Sequence, residues 1–232
     1  MTTIENSVAL VTGGSRGIGK QLVEQLYQRG AAKVYATARD PKTVTHPDAI
    51  PLALEVTDPE SVAAAARRAD DVTIVINNAG GSSRAGLLTA TVDRIRIDFE
   101  TNFFGPLHVT RAFVPVIEAN GGGHLLNVHS VLSWLAEGNA YSASKAAFWS
   151  QTNSLRLLLL ERGISVTGLH VGYVDTDLTV NIDAPKTTVD VVATKALDGI
   201  EAGAHEVLVD EVSEQVKAAL SLPLKALYTQ LA

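Results

Sequence analysis

Tyr141 and Lys145 stand four residues apart in the segment Tyr141-Ser142-Ala143-Ser144-Lys145. In a helix that spacing puts the phenol and the ammonium on one face. A phenol with a pKa of about 10 is a poor base at neutral pH. An ammonium ~4–5 Å away, at an effective dielectric of about 20, supplies about 3–4 kcal/mol of attraction to the phenolate. Desolvation takes some of that back, but the remainder draws the phenol toward a range useful for proton transfer near pH 7. The expected pair is thus Tyr141 as proton donor and acceptor, with Lys145 lowering its pKa. Ser130 follows the apolar run Leu125-Leu126-Asn127-Val128-His129. A hydroxyl at the carboxyl end of a strand can hydrogen-bond a substrate carbonyl and fix its orientation. Taken alone, Tyr-x₃-Lys is more often a surface pair than a reacting one, so its surroundings decide.

A second constellation lies near the amino end: Thr12-Gly13-Gly14-Ser15-Arg16-Gly17-Ile18-Gly19. It falls between an apolar run and a helical pattern. Glycines there permit positive φ and let the backbone approach a pyrophosphate with no Cβ in the way. The first turn of the following helix adds unpaired N–H groups and a partial positive charge. Gly13, Ser15, Arg16, Gly17, Ile18 and Gly19 are the expected phosphate-side residues. A glycine turn serving only helix–strand packing is the alternative, and the strand–turn–helix context argues against it.

These groups need a scaffold, and the chain supplies an alternating one. Apolar runs at 7–12, 33–37, 50–54, 72–76, 125–128, 164–171 and 206–209 read as strands. Helical periodicity links them: 18–27 stopped by Gly30, 59–69 with Asp58 as N-cap, 92–118, 141–162 ended by Gly163, 189–202 and finally 212–220. Strands separated by helices imply a doubly wound parallel α/β sheet with helices on both faces. The 232 residues contain no linker or repeat, so one domain over 1–232 is expected. The 180–188 stretch, with Pro185, reads as a loop.

Composition narrows the classes. A hydrophobic share of 46% suits a buried core, and the net charge of −6, with dispersed Lys and Arg, excludes a nucleic-acid partner. There is no cysteine, hence no disulfide or thiolate metal site, and no metal is expected. The opening Met1-Thr2-Thr3-Ile4-Glu5-Asn6 does not read as a signal peptide, and no apolar run approaches the ~20 residues of a membrane span. A cytoplasmic protein without a membrane partner is the expectation.

The glycine spacing TGxxxGxG, Asn77-Asn78-Ala79-Gly80 and YSASK, in that order, resemble the short-chain dehydrogenase/reductase family in its compact single-domain branch. The resemblance spans nearly the whole chain. It implies a Rossmann fold binding a nicotinamide cofactor, with Ser130, Tyr141 and Lys145 as reacting groups. It implies that Asn102, in Thr101-Asn102-Phe103-Phe104-Gly105, distorts a helix and completes a proton relay from Tyr141 through a ribose hydroxyl, Lys145 and water. It places Glu55 and Val56 near the adenine, where relatives carry aspartate, and Asn78, Ala79 and Gly80 near the adenosine ribose. Gly172, Val174 and Thr176 fall at the carboxamide and pyrophosphate side, although the usual proline before the glycine is replaced by Val171. Ser130 and Tyr141 are also slightly closer than is common in the family, so the intervening loop must turn tightly, with Gly138-Asn139 available for the turn.

The second strand ends Ala36-Thr37-Ala38-Arg39, with Ala38 where an NAD-binding chain would carry an acid. Arg39 and Arg16 can flank a 2′-phosphate, so NADP(H) is expected over NAD(H). Leu132, Trp134, Tyr173 and Leu178 are candidate pocket walls. The apolar helix carrying Phe148, Trp149, Leu155, Leu157, Leu158 and Leu159 suits a homo-oligomer, a tetramer or dimer. An oxidoreductase acting on a small or medium apolar ketone, aldehyde or secondary alcohol is the leading expectation. A non-catalytic NADP(H)-binding regulatory protein is the alternative, and such a chain would tend to lose Tyr or Lys. A nucleotide-sugar epimerase would need a longer chain, and a methyltransferase would need no YSASK.

Overall fold

Short apolar strands separated by helices assemble here into one parallel sheet of seven strands. The computed structural model describes residues 2–231. The strands are β1 (Val8–Val11), β2 (Lys33–Ala38), β3 (Ile50–Ala53), β4 (Ile74–Asn77), β5 (Gly123–Val128), β6 (Ile164–His170) and β7 (Glu206–Leu208). The helices are α1 (Gly17–Gln28), α2 (Pro59–Arg68), α3 (Val92–Phe99), α4 (Gly105–Ala119), α5 (Ala140–Leu158), α6 (Val189–Glu201) and α7 (Glu211–Ala219). All neighbours are parallel in the order β3-β2-β1-β4-β5-β6-β7. The order reverses between β1 and β4, and in such sheets the crevice at the strands' carboxyl ends there is where ligands bind. This is a Rossmann-like doubly wound fold.

Alternation within each strand divides the core. Ala9, Val11, Ile74 and Ile76 face one layer, where they meet Leu22 and Leu26 of α1 and Val192 and Leu197 of α6. Leu10, Val75 and Leu125 face the other, against Val62 of α2 and Val109, Phe113 and Ile117 of α4. The expected caps are in place: the Asp58 carboxylate accepts from Glu60 N at 2.9 Å, and Gly30 and Gly163 take positive φ where helices end.

The expected helix over 92–118 is interrupted. A π-helical turn, Glu100–Phe104, separates α3 from α4 and carries Asn102. Such turns cluster at functional sites. No helix among the described residues is long and apolar enough to cross a membrane.

Candidate active site

The carboxyl ends of β1, β4, β5 and β6 open onto one cleft of 2830 Å³. At its phosphate side, Gly13 and Gly17 adopt φ of 66° and 53°. A Cβ on Gly19 would lie 2.1 Å from the Gly13 carbonyl oxygen, so the turn closes only because that position is bare. Arg16, the residue before α1, makes no side-chain cap, and the helix has no acid in its first turn. The first amides are therefore free for an anion. Thr12 Oγ1 accepts from Asn78 N and Ala79 N at 2.9 and 3.0 Å, and Asn78 Nδ2 donates to Thr12 O at 2.9 Å. Asn77 Nδ2 donates to Asn127 Oδ1 at 2.9 Å, and Asn127 Nδ2 to Thr152 Oγ1 at 2.8 Å. The paired asparagines thus lock three strand ends and α5 together.

Arg16 and Arg39 both border the cleft beside Ala38. Arg16 holds Asp177 at 2.9 Å, with side chains 75% and 79% exposed, and Arg39 stands 4.0 Å from Glu55. Exposed pairs are worth about 0–1 kcal/mol, so either guanidinium can turn to a phosphate at small cost. Glu55 Oε1 also receives Thr57 N and Oγ1, which fixes the carboxylate. This cradle, with bare backbone at Gly13 and Gly19 and two cations at the second strand's end, fits a nicotinamide dinucleotide.

The reacting groups meet deeper in the cleft. Ser130 opens the 3₁₀ turn Val131–Ser133, and its Oγ accepts from Leu132 N at 3.1 Å. The hydroxyl hydrogen is left to donate. Gly138 takes φ of 69° and Asn139 caps α5 through Ser142 N at 2.9 Å, which is how the short loop from Ser130 returns to Tyr141. Lys145 Nζ sits 5.8 Å from the Tyr141 ring centroid and donates to Val128 O at 2.9 Å. Asn102 Nδ2 donates to Gly81 O and Ser144 Oγ, while its Oδ1 accepts from Gly81 N, all at 2.9–3.0 Å.

One expectation reverses. The Tyr141 phenol goes up rather than down: burial pushes it up to about 12, against a smaller opposing contribution from Ser130, and Asp98 and Glu137 push the same way as burial. Burial also pulls Lys145 down to about 8. Sequence spacing gives the proximity of the two groups but not the dielectric around them, and here desolvation wins.

Leu132, Tyr173 and Leu178 line the cleft, and so do Ser15, Ile18, Val56, Gly80, Gly172, Val174 and Thr176. Gly19 and Asn102 lie behind its wall as supports. Trp134 is a correction: its indole is 8% exposed and stacks on His170 with centroids 3.8 Å apart, away from the cleft. Leu135 and Glu137 border the cleft in that region, and Glu137 Oε1 accepts from Tyr173 Oη at 3.4 Å. His129 is a buried support, 3.0 Å from Thr152 Oγ1, and burial holds its imidazole neutral. Gly172 lacks its usual proline neighbour, yet its amide is held by Asp210 Oδ2 at 2.7 Å. Ser144 and Asp98 escaped sequence reasoning. Ser144 sits inside the YSASK segment, but only its bond to Asn102 marks it. Asp98 is a buried carboxylate accepting from Ser83 N at 2.6 Å, one turn ahead of Asn102.

Residues 7–187 match the family described as short chain dehydrogenase. Dehydrogenase/reductase SDR family member 7B of Mus musculus is 31% identical over 198 residues, 77% of this chain; the chain spans only 61% of that relative. A 3-oxoacyl-(acyl-carrier-protein) reductase of Vibrio cholerae is 33% identical over 190 residues, covering 76% of this chain and 77% of the relative. Among solved structures, a short chain dehydrogenase from Burkholderia cenocepacia J2315 in complex with NADP superposes with a TM-score of 0.93 at 36% identity, covering 99% of this chain and 98% of that one. A Burkholderia phymatum structure in complex with NAD shares the fold, with a TM-score of 0.86 at 21% identity, over 99% of this chain and 97% of the other.

Proposed function

Because the chain belongs to the short-chain dehydrogenase family, we propose that it is an NADP(H)-dependent oxidoreductase interconverting a small or medium apolar ketone or aldehyde and its alcohol. The observation that carries this reading is the meeting of Ser130, Tyr141 and Lys145 in the same cleft as the glycine cradle. The first turn of α1 with Gly13, Ser15, Gly17 and Ile18 would hold the pyrophosphate, and Arg16 with Arg39 the 2′-phosphate. Glu55, Val56, Asn78, Ala79 and Gly80 would serve the adenosine side, and Gly172, Val174 and Thr176 the nicotinamide side. The NADP held by the Burkholderia cenocepacia relative supports that assignment.

When bound, the nicotinamide supplies or accepts the hydride. Ser130 Oγ–H donates to the substrate carbonyl oxygen and orients it. Tyr141 Oη gives its proton to that oxygen in reduction and takes it back in oxidation. A phenol held up to about 12 carries that proton at neutral pH, the form that donation to the substrate oxygen requires. In reduction Lys145 would pass a proton back toward Tyr141 from the Asn102 side, and in oxidation the reverse, with Asn102 holding Gly81 and Ser144 in register. Leu132, Tyr173 and Leu178 give the substrate end its apolar walls. One domain carries cofactor and substrate sites alike.

The test is NADPH consumption with a panel of ketones, for the parent and for Tyr141→Phe. Turnover in the parent, lost in the variant while NADPH still binds, is the expected result. Binding of NADPH without consumption across the panel favours the non-catalytic regulatory protein instead.

A further inference from the structure

Residues beyond 187 lie outside the family match, yet they reach the wall of the reaction site. Trp134 closes the 3₁₀ turn that Ser130 opens. Its ring lies on His170 at 16° to the imidazole plane, and the ammonium of Lys217 on α7 stands 4.8 Å from its centroid. The same ammonium is 5.6 Å from the Trp149 ring of α5 and pairs with the Glu206 carboxylate on β7. Glu206 Oε1 in turn accepts from Trp149 Nε1 at 3.2 Å, and the two indoles meet edge to face at 6.0 Å. His170 Nδ1 lies 3.5 Å from Ser130 O. Further along the same loop, Tyr228 Oη accepts from Ala136 N at 2.9 Å.

A cation over an indole face, partly buried and tied to a carboxylate, is a directional contact. It fixes the tilt of the ring as well as filling space. The turn that Trp134 ends has three residues, so a tilt there passes to the Ser130 hydroxyl. We infer that Lys217, seated between Trp134, Trp149 and Glu206, is a positioning residue through which the C-terminal helix aims Ser130 at the substrate. The inference rests on the proposed role of Ser130 at a carbonyl. Lys217 touches neither substrate nor cofactor.

Ketone reduction is measured per NADPH-binding site, with sites titrated by nucleotide fluorescence, for the parent, Lys217→Met and Lys217→Arg. Lys217→Met should lower kcat/KM about tenfold, chiefly in kcat, with the Kd for NADPH unchanged. Lys217→Arg, which keeps the cation and the carboxylate pair, should recover most of the loss. If the methionine variant fails to bind NADPH, Lys217→Gln takes its place. Equal kcat/KM per site in Lys217→Met and parent overturns the positioning alone, as does an equal loss in the methionine and arginine variants. Absence of turnover in the parent overturns the functional reading, and the positioning with it.

Discussion

At the residue scale, burial sets the protonation of both members of the Tyr141–Lys145 pair, and for the lysine that has a measurable cost. Its pKa falls from 10.5 to about 8 in the folded chain. Between those values the unfolded chain binds more protons than the folded one, so stability rises with pH across that window and is poorest below it. A gap of about 2.5 pKa corresponds to ~3 kcal/mol held against the fold at pH 7. Removing the ammonium also leaves the Val128 carbonyl without its donor, which gives back about 1–1.5 kcal/mol. Lys145→Met should therefore be about 1–2 kcal/mol more stable than the parent in urea at pH 7 and inactive, with the gain gone by pH 10.5. No gain at pH 7 would mean that the site stores no such strain. Cofactor choice is decided on the same scale. Ala38→Asp with Arg39→Leu removes a cation and adds repulsion for a 2′-phosphate, so the NADPH:NADH ratio of kcat/KM should fall about 10- to 100-fold. Comparable values for both cofactors in the unmodified protein would refute the NADP(H) preference.

Elements carry the next constraint, and the glycine cradle shows it most directly. Inside a helix alanine is intrinsically better than glycine by about 1 kcal/mol, so Gly19→Ala should stabilise α1 if propensity ruled. Its Cβ would meet the Gly13 carbonyl oxygen at 2.1 Å and Asn78 Nδ2 at 2.6 Å, and backbone cannot yield as a side chain can. Calorimetry should show a lower Tm for Gly19→Ala together with weaker NADPH binding, and little change in Tm for Gly81→Ala, whose Cβ meets nothing within 4 Å. A Gly19→Ala protein with parental Tm would remove the steric account. The glycine spacing was legible in the sequence because it records a local backbone need. So were the strands, whose apolar runs are bounded by turns, and the Asp58 cap. The distortion at Asn102 was legible through the family resemblance, but its π-helical form over Glu100–Phe104 was not, since Asn102 is held by Gly81 and Ser144, partners 21 and 42 residues away. Trp134 misled for a related reason. Apolar side chains beside a reacting group look alike in a sequence, and only the stack on His170 shows which one turns inward. The sign of the phenol's shift failed because spacing fixes distance while burial fixes dielectric.

For the whole molecule the open question is what covers α5 at its carboxyl end. The sequence shows an apolar helix with no obvious polar face there, and the fold divides that surface in two. Phe148 and Leu159 are buried within the chain, whereas Leu157, Leu158 and Leu160 are 77%, 69% and 72% exposed. Exposing three leucines within four residues forgoes about 1.5–3 kcal/mol each, a cost that a second copy can recover. The net charge of −6 keeps copies soluble but is too small to hold them apart at physiological salt, where screening acts within ~8 Å. We propose that a dimer or tetramer covers this surface, and Leu157→Glu with Leu160→Glu should convert it to a monomer by light scattering. The glycine cradle and Ser130, Tyr141 and Lys145 all come from the same chain, so that monomer should still bind NADPH with its parental Kd. A parent that already has monomeric mass at micromolar concentration would sink the assembly while leaving the chemistry of Tyr141 untouched. Loss of NADPH binding in a folded monomer would instead show that a neighbouring copy holds the cradle's loops in place.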